Sequence, residues 1–454
     1  MRVLFATMAA RSHVYAQVTL ASALRTAGHE VLVASQPDVL DDIVRAGLTA
    51  VRIGEDLNIE EETREANASF EDDRNLGGLA MSNTRDDPFP WDHALGMFTA
   101  MTAMVFQNVC PEPMVDDLVG LARDWRPDLV VWDPLTLAGP VAARLSGAAH
   151  ARLLFGPDQM GRNRTAFRAL LDRQPPELRD DPLAEWLTWT LERCGGSAGD
   201  MSEELVLGQW TIDPTPPSMR IPLDLPCVPV RYVPYNGPSL LPDWLREPPR
   251  HPRRLCLTRG VSLGEATGAG TVAASDVLAA VDGLDVEVVA TLPRELRAEL
   301  GTLPANVRAV DFVPLNALLP SCSGIIHHGG SGTFMTALVH AIPQLIVPDM
   351  MWDAMEKAHG LARSGAGSYV DARDVSPELL RERVLALLDD PSYAAGARRV
   401  RAEVVGTPSP NDIVPVLERL TAEHRAVGAE GARRSSRLPP QVPSLAAWRT
   451  HSDP

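Results

Sequence analysis

The sequence predicts two α/β domains, each built on a parallel sheet with helices on both faces. Two series of short apolar segments alternate with helical patterns, one in each half of the chain, and a proline-dense segment at 214–252 separates them. Strand–helix–strand alternation is typical of parallel sheets, and closely spaced prolines favour an extended linker. We therefore expect two Rossmann-like domains whose sheets face a central cleft.

The first series begins with a buried strand at 2–7 and a helix at 14–27 that Gly28 ends. It continues with predicted strands at 30–34, 128–132 and 151–155 and a helix at 140–145. Between residues 54 and 111 the alternation gives way to acidic and polar sequence and then to an apolar helix at 93–109. Such an excursion often carries a binding surface, but a solvated charged loop accounts for it equally well.

The second series follows the proline-dense segment. Its predicted strands lie at 254–258, 286–291, 307–311, 324–327 and 344–347. Its predicted helices lie at 274–281, 294–300, 332–341, 377–388, 392–404 and 411–424. The expected organisation is a first domain at 1–213, a linker at 214–252, a second domain at 253–405, a C-terminal helix at 406–424 that packs back on the first domain, and a disordered tail from 425.

Composition excludes several classes of function. The 454 residues include 42 basic and 59 acidic side chains, and a net charge of −17 disfavours binding to nucleic acid or to anionic membranes through the bulk surface. The five cysteines show no Cys-x-x-Cys spacing, which indicates neither a disulfide framework nor a zinc site. No apolar run of about 18 residues is present, so we expect a cytoplasmic protein. We attribute the single lysine, Lys357, to codon usage in a GC-rich genome.

A glycine-rich turn lies between a predicted strand and a predicted helix. Residues 327–333 read His-His-Gly-Gly-Ser-Gly-Thr. This order places several backbone N–H groups and hydroxyls at a helix N-terminus, where positive partial charge favours a phosphate. A plain tight turn would account for one or two of the glycines, but not for the whole pattern.

A histidine and an aspartate follow two strands of the first domain. His13 lies just after the first strand, and Asp133 ends the strand at 128–132, so both should face the crevice at the carboxyl ends of the sheet. A helix N-terminus disfavours the imidazolium, so His13 should be neutral and able to accept a proton. A carboxylate beside it would fix its tautomer and complete a general base. A simple N-cap before Pro134 is the alternative for Asp133.

Several segments carry a family resemblance. They lie at 12–31, 125–134, 181–190 and 311–333, and the blocks Gly-Gln-Trp-Thr-Ile-Asp-Pro at 208–214 and Pro-Tyr-Asn-Gly-Pro at 234–238 are the most specific. Together they resemble bacterial GT-B glycosyltransferases of macrolide and anthracycline antibiotic pathways, in the subgroup that transfers deoxysugars to polyketides. The resemblance extends over nearly the whole chain to about residue 424.

The resemblance implies roles for individual residues. It makes His13 the base that deprotonates the acceptor hydroxyl, makes Asp133 its support, and implies a backbone contact from Val313 to the nucleotide base. The donor-binding residues it implies are Thr258, Gly260, Val313, His328, Gly329, Gly330, Ser331, Gly332, Thr333, Trp352 and Asp353. No metal is expected, because the pairs at 72–73 and 86–87 lie in the acidic excursion and indicate solvated charge rather than a metal site.

One position departs from the wider superfamily. Sugar-handling members often carry an Asp-Gln pair after the last strand of the donor domain, whereas this chain has Asp353 followed by Ala354. An absent amide removes hydrogen bonds that a deoxysugar could not return. Drift in a variable loop is the alternative explanation.

The resemblance implies an inverting transferase that moves a deoxyhexose from a dTDP-sugar to a hydroxyl of a polyketide aglycone, without any other cofactor. It also implies help from an activator related to cytochrome P450, for which the excursion at 54–111 is the expected docking surface or acceptor lid. A homo-oligomer is compatible with the sequence. Two alternatives are a non-catalytic scaffold in a biosynthetic complex and a sugar-nucleotide epimerase on the same fold.

Overall fold

The structure, a computed structural model, describes residues 1–58, 90–258, 274–348 and 353–430. Within these ranges the chain forms two parallel sheets of seven and six strands. The first sheet contains β1 (Arg2–Ala6), β2 (Glu30–Ser35), β3 (Ala50–Arg52), β4 (Leu129–Trp132), β5 (Ala149–Leu153), β6 (Trp210–Asp213) and β7 (Cys227–Pro229). The second contains β8 (Arg254–Thr258), β9 (Glu287–Thr291), β10 (Val307–Val310), β11 (Gly324–His327), β12 (Gln344–Ile346) and β13 (Gly367–Tyr369). The predicted α/β class is confirmed.

Both sheets have the same kind of strand order. The order is β3-β2-β1-β4-β5-β6-β7 in the first sheet and β10-β9-β8-β11-β12-β13 in the second. The direction of winding reverses between β1 and β4 in one sheet, and between β8 and β11 in the other. A crevice opens at the carboxyl ends of the strands at such a reversal, so the order itself fixes where each domain can bind a ligand.

Helices cover both faces of each sheet. In the first half they are α1 (Arg11–Thr26), α2 (Leu40–Arg45), α3 (Trp91–Met101), α4 (Glu112–Trp125), α5 (Ala138–Ser146), α6 (Gln159–Leu171), α7 (Pro182–Arg193) and α8 (Glu204–Leu207). In the second half they are α9 (Ala274–Val281), α10 (Arg294–Leu300), α11 (Leu315–Leu318), α12 (Ser331–Val339), α13 (Ala354–Ser364), α14 (Pro377–Asp389), α15 (Pro391–Gly406) and α16 (Pro410–Glu430). Strands such as β4 and β5 are buried along their whole length, as expected for a sheet covered on both faces.

The C-terminal helix belongs to the core of the first domain. Ile413, Leu417 and Leu420 are buried in the same cluster as Val14 and Leu24 of α1. The helix begins at Pro410 and reaches Glu430, so the expectation of a disordered tail from 425 is wrong for its first six residues. An ion pair between Arg425 and Asp128 ties this extension to the first domain. Residues 431–454 lie outside the described ranges.

Two further differences concern the middle of the chain. Strand β7 pairs with β6 and lies inside the segment predicted as a linker, so the first sheet extends beyond residue 213. The predicted helix at 93–109 begins at Trp91 and continues after α3 through a π-helical turn, Thr102–Phe106, to Gln107–Val109. Its apolar side chains, including Met97, Phe98 and Phe106, are buried in the core of the first domain. The apolar face expected to dock a partner is therefore used within the domain, while residues 59–89 of the excursion lie outside the described ranges.

Candidate functional site

His13 and Asp133 meet at the crevice of the first sheet. His13 lies in the first turn of α1 directly after β1, and Asp133 follows the neighbouring strand β4. His13 Nδ1 lies 2.7 Å from Asp133 Oδ2, and the Asp133 side chain is only 3% exposed. The other carboxylate oxygen, Oδ1, accepts a hydrogen bond from the Leu135 N–H at 3.0 Å. Asp133 therefore stabilises its own turn and orients His13 at the same time.

The hydrogen bond sets the tautomer of His13. An ionised carboxylate only accepts hydrogen bonds, so Nδ1 carries the hydrogen and the Nε2 lone pair remains to take a proton. Burial by itself lowers the pKa of His13, but the charge of Asp133, its hydrogen bond and the charge of Asp353 together raise that pKa above 6.5. The helix N-terminus was expected to keep the imidazole neutral. The pKa of His13 is instead raised, because of Asp133 and Asp353.

Two residues that were not identified from the sequence, Phe155 and Gly156, lie on the same side of the crevice as His13. The ring of Phe155 contacts His13 edge to face, with centroids 4.8 Å apart. Gly156 follows it, and a Cβ on Gly156 would overlap Asp353 Oδ2 from the second domain. Phe155 was assigned to the predicted strand at 151–155, but β5 ends at Leu153 and Phe155 lies beyond it in the crevice. Gly156 is thus a point of close approach between the two domains.

The glycine-rich turn has the geometry of an anion-binding helix start. It connects β11 to α12, and Gly329 has a φ of +102°, which a residue with a side chain rarely adopts. The first backbone hydrogen bond of α12 runs from Phe334 N–H to Gly330 O at 2.9 Å. The N–H groups of the three preceding residues, Ser331, Gly332 and Thr333, therefore have no acceptor within the helix.

The two histidines before the turn have different positions. His327 is buried, its Nδ1 accepts the Gly329 N–H at 3.0 Å, and its Nε2 lies 2.8 Å from Gln344 Oε1. Burial lowers the pKa of His327 to about 4, so it is a neutral residue that holds the shape of the turn. His328 lies over the turn itself, where a Cβ on Gly330 would come within 2.7 Å of His328 Nε2.

The remaining predicted donor residues are distributed around this turn. Thr258 is the last residue of β8, beside β11, and its Oγ1 accepts a hydrogen bond from Thr291 Oγ1 at 2.7 Å. The side chain of Val313 is 2% exposed and packs in the core near Leu318, so the contact implied for Val313 would come from its backbone. Gly260 and Trp352 lie outside the described residues.

Asp353 is connected to the turn by Lys357, a residue that the sequence did not identify as part of the site. Lys357 Nζ lies 2.7 Å from Asp353 Oδ1 and donates to Ser331 Oγ at 2.8 Å. The four-residue spacing of Asp353 and Lys357, at the start of a helix, is the signal that could have identified the pair. Codon usage does not account for a lysine buried at this position.

The two domains also meet through side chains beside the crevice. Arg162 on α6 and Glu356 on α13 form an ion pair of 3.0 Å, and the side chain of Glu356 is 11% exposed. Asp353 and Lys357, near Glu356 in the chain, lie across from Gly156 and His13. His13 and the glycine-rich turn therefore border one cleft between the domains.

Neither a metal-binding cluster nor a membrane-spanning helix is found among the described residues. They contain no group of three or more His, Cys, Asp or Glu side chains arranged to hold a metal ion. None of the helices in the described ranges has the length and apolar character needed to cross a membrane.

Comparison with known proteins identifies relatives over most of the chain. Residues 22–260 match the domain family described as Erythromycin biosynthesis protein CIII-like, N-terminal domain. Residues 275–420 match the C-terminal domain of the same description. The chain is 57% identical over 442 residues to the aclacinomycin-T 2-deoxy-L-fucose transferase of Streptomyces galilaeus, which covers 96% of this chain and 99% of the relative. It is 51% identical over 430 residues to the 10-deoxymethynolide desosaminyltransferase of Streptomyces venezuelae, covering 95% and 99%.

A solved glycosyltransferase structure is similar to this chain over nearly its whole length. The glycosyltransferase VinC, in complex with dTDP, matches with a TM-score of 0.82 at 42% identity, over 93% of this chain and 100% of VinC. The fold is therefore GT-B, as the sequence resemblance implied.

Proposed function

The chain belongs to the erythromycin biosynthesis protein CIII-like glycosyltransferases, and we propose that it transfers a deoxyhexose from a dTDP-sugar to a hydroxyl of a polyketide aglycone with inversion at C1. The relatives named above act on aclacinomycin-T and on 10-deoxymethynolide, and they transfer 2-deoxy-L-fucose and desosamine. The observation that carries the proposal is the placement of His13, with its Nε2 lone pair free of Asp133, across one cleft from the N-terminus of α12.

His13 acts as the general base. Its Nε2 removes the proton of the acceptor hydroxyl while the acceptor oxygen forms a bond to C1 of the sugar. The bond from C1 to the diphosphate oxygen breaks with its electron pair, which leaves dTDP as the product. Attack from the face opposite the leaving group inverts C1. Asp133 stabilises the imidazolium that results, in the manner of other histidine bases supported by a carboxylate.

The helix N-terminus stabilises the leaving group. Negative charge develops on the diphosphate as the C1–O bond stretches, and oriented N–H groups at Ser331, Gly332 and Thr333 offset that charge. His328, Gly329 and Gly330 shape this turn, and Thr258 at the end of β8 and the backbone of Val313 border the donor. The role that the resemblance implies for Gly260 concerns a residue outside the described ranges. The proposal assigns no role to a metal, because N–H groups at a helix N-terminus can bind a diphosphate.

The donor class follows from Asp353 and Ala354. Asp353 Oδ2 is buried and has no hydrogen-bond partner among the described residues, and we propose that it accepts from one sugar hydroxyl when the donor is bound. Ala354 is 4% exposed and packs against Gly329, so no amide is present to bond a second hydroxyl. A deoxyhexose leaves fewer polar groups unpaired in such a site than glucose does.

The test is a panel of dTDP-deoxyhexoses and dTDP-glucose with several polyketide aglycones, with products identified by mass and by the configuration at C1. We expect higher kcat/KM for deoxyhexoses and inverted products. Ala354→Gln should reduce the ratio of kcat/KM for deoxyhexose donors to kcat/KM for dTDP-glucose, even if it lowers both values. The added amide can form a hydrogen bond with a hexose hydroxyl. A wild-type preference for glucose would contradict the donor assignment.

We further propose that an activator related to cytochrome P450 raises activity, as the subgroup resemblance implies. The non-catalytic scaffold and the epimerase are not retained, since the relatives are transferases. The assay compares the purified chain with and without a candidate activator of this kind. Full activity of the chain alone would contradict the dependence, and sedimentation of the same sample would show whether the chain is a homo-oligomer.

A further inference from the structure

Lys357 is the only lysine in the chain, and it is almost completely buried beside the proposed donor site. Its side chain is 2% exposed. A buried ammonium is costly unless its donors are used, and Lys357 uses two of them within 2.8 Å. Its partners belong to different parts of the site: Asp353 lies directly before α13, whereas Ser331 is the first residue of α12.

The contact to Ser331 constrains that hydroxyl. An ammonium group only donates, so Ser331 Oγ is the acceptor in this hydrogen bond. The hydroxyl hydrogen is then left to donate to another group. Ser331 stands at the N-terminus of α12, next to the N–H groups proposed to hold the diphosphate. A phosphate oxygen bound there is a fitting acceptor for the hydroxyl.

The contact to Asp353 constrains the carboxylate. Lys357 holds Oδ1, which leaves Oδ2 directed at Gly156, where the two domains are in close contact. Asp353 Oδ2 is buried and has no hydrogen-bond partner among the described residues. The carboxylate also acts electrostatically on His13. Its position therefore matters for the sugar and for the base.

We propose that Lys357 is a positioning residue that couples the two ends of the donor site. One ammonium fixes Ser331 for the diphosphate and Asp353 for the sugar, so both groups are placed before the donor arrives. This inference rests on the proposed function, because it assumes that a nucleotide-sugar diphosphate occupies the N-terminus of α12. A purely structural ion pair would stabilise α13 without distinguishing ligands that carry a diphosphate from those that lack it.

The first test compares dTDP with thymidine, which lacks the diphosphate, by calorimetry. Lys357→Met should weaken dTDP binding by about 10-fold, the effect of losing one charge-assisted hydrogen bond, and leave thymidine affinity unchanged. Ser331→Ala, which keeps the Lys357–Asp353 pair, should act in the same direction. Arg363→Met is the matched control: it removes a cation from the same helix, but one whose side chain is 64% exposed. Equal losses for dTDP and thymidine, or unchanged dTDP affinity in both variants, would overturn the inference.

A second measurement needs no substitution. Protein labelled with nitrogen-15 lysine contains a single Nζ, so its side-chain resonance reports on this site alone. We expect dTDP to shift that resonance and thymidine to leave it nearly unchanged. A resonance that does not respond to dTDP, in protein shown to bind dTDP, would overturn the inference while the proposed function stands. Wild-type protein that does not bind dTDP would instead overturn the proposed function.

Discussion

At the scale of single residues, the site depends on how one carboxylate divides its two oxygens. Asp133 Oδ1 accepts a hydrogen bond from the Leu135 N–H, and Asp133 Oδ2 accepts one from His13 Nδ1. The two interpretations of Asp133 that the sequence leaves open are therefore compatible. The local turn fixes the carboxylate, and the fixed carboxylate then fixes the histidine. Because Asp133 sets the pKa and the orientation of His13, we expect the pH dependence of the reaction to change when either residue is replaced.

Asp133→Asn should move the acid limb of the pH–rate profile to lower pH. Burial lowers the pKa of His13, but the charge and hydrogen bond of Asp133 and the charge of Asp353 together raise that pKa above 6.5. The base must be neutral to act, so wild-type activity falls as the pH decreases through that raised pKa. Without the charge of Asp133 the pKa of His13 falls, so the inflection should move down. The plateau rate should fall by about 100-fold, because the tautomer is no longer fixed. An unmoved inflection in kcat/KM would contradict the assignment of His13 as the titrating base.

Gly332→Asp tests the diphosphate site by charge alone. A Cβ on Gly332 would meet nothing nearer than Tyr232 Oη at 3.8 Å, so the position has room for a side chain. A carboxylate in the first helical turn also favours the helix, so folding should be kept. We expect dTDP affinity to fall by about 100-fold or more, since the carboxylate repels the diphosphate.

Gly332→Asn is the matched control for that substitution, because the amide has nearly the same shape and no charge. It should retain most of the dTDP affinity in the same calorimetric titration. Similar affinities for the Asp and Asn variants would place the diphosphate elsewhere.

At the scale of elements, the linker positions both domains. Asn236 Oδ1 accepts the N–H of Asn316 in the second domain at 2.7 Å. The neighbouring Tyr235 packs edge to face on Tyr15 of α1, with ring centroids 5.0 Å apart. These contacts give a physical role to the Pro-Tyr-Asn-Gly-Pro block that carried part of the family resemblance. The segment at 234–238 therefore contacts both domains and fixes the connection between them.

Gly237→Ala should strain this joint. Gly237 has a φ of +83°, and a Cβ there would lie 2.7 Å from Tyr15 Oη. We expect a loss of about 1–3 kcal/mol in the free energy of unfolding from the backbone conformation, with a further loss from the overlap. Gly283→Ala is the control, because Gly283 has a φ of +67° and no atoms within 4 Å of its Cβ position. Denaturant unfolding of both variants separates the cost of the backbone conformation from the cost of the overlap with Tyr15. Equal losses in the free energy of unfolding would show that Tyr15 does not restrict the linker.

The elements also show which features of the fold can be predicted from sequence. Long or strongly apolar segments were found, including β1, β8 and α9, because their patterns extend over enough residues to be distinctive. The missed strands β3, β6, β7 and β13 have three or four residues and lack the adjacent branched apolar residues that mark β4, β11 and β12 at the same length. Their place is decided by the neighbouring strand to which each one pairs.

The same limit applies to the site. His13, Asp133 and the glycine-rich turn could be predicted because each follows a strand, and parallel strands bring their carboxyl ends together. Phe155, Gly156 and Lys357 could not, because their importance lies in contacts across the cleft between distant segments. The raised pKa of His13 likewise depends on Asp353 from the other domain as well as on Asp133.

At the scale of the whole molecule, the proposed reaction requires both domains. His13 follows a strand of the first sheet, the glycine-rich turn follows a strand of the second, and the contacts of Arg162 with Glu356 and of Gly156 with Asp353 bring the two domains together. The C-terminal helix α16 returns to α1, the helix that carries His13. The position of the base therefore depends on segments from both ends of the chain.

Single-turnover transfer by wild-type protein and His13→Ala is the most direct measurement of the central claim. Enzyme in excess is mixed with a dTDP-deoxyhexose and an aglycone that the wild type accepts, with activator present in both samples, and dTDP affinity is measured in parallel. We expect His13→Ala to bind dTDP as the wild type does and to transfer sugar at least about 100-fold more slowly, the usual effect of losing a general base. Equal transfer rates in the two proteins would contradict the claim that His13 removes the acceptor proton.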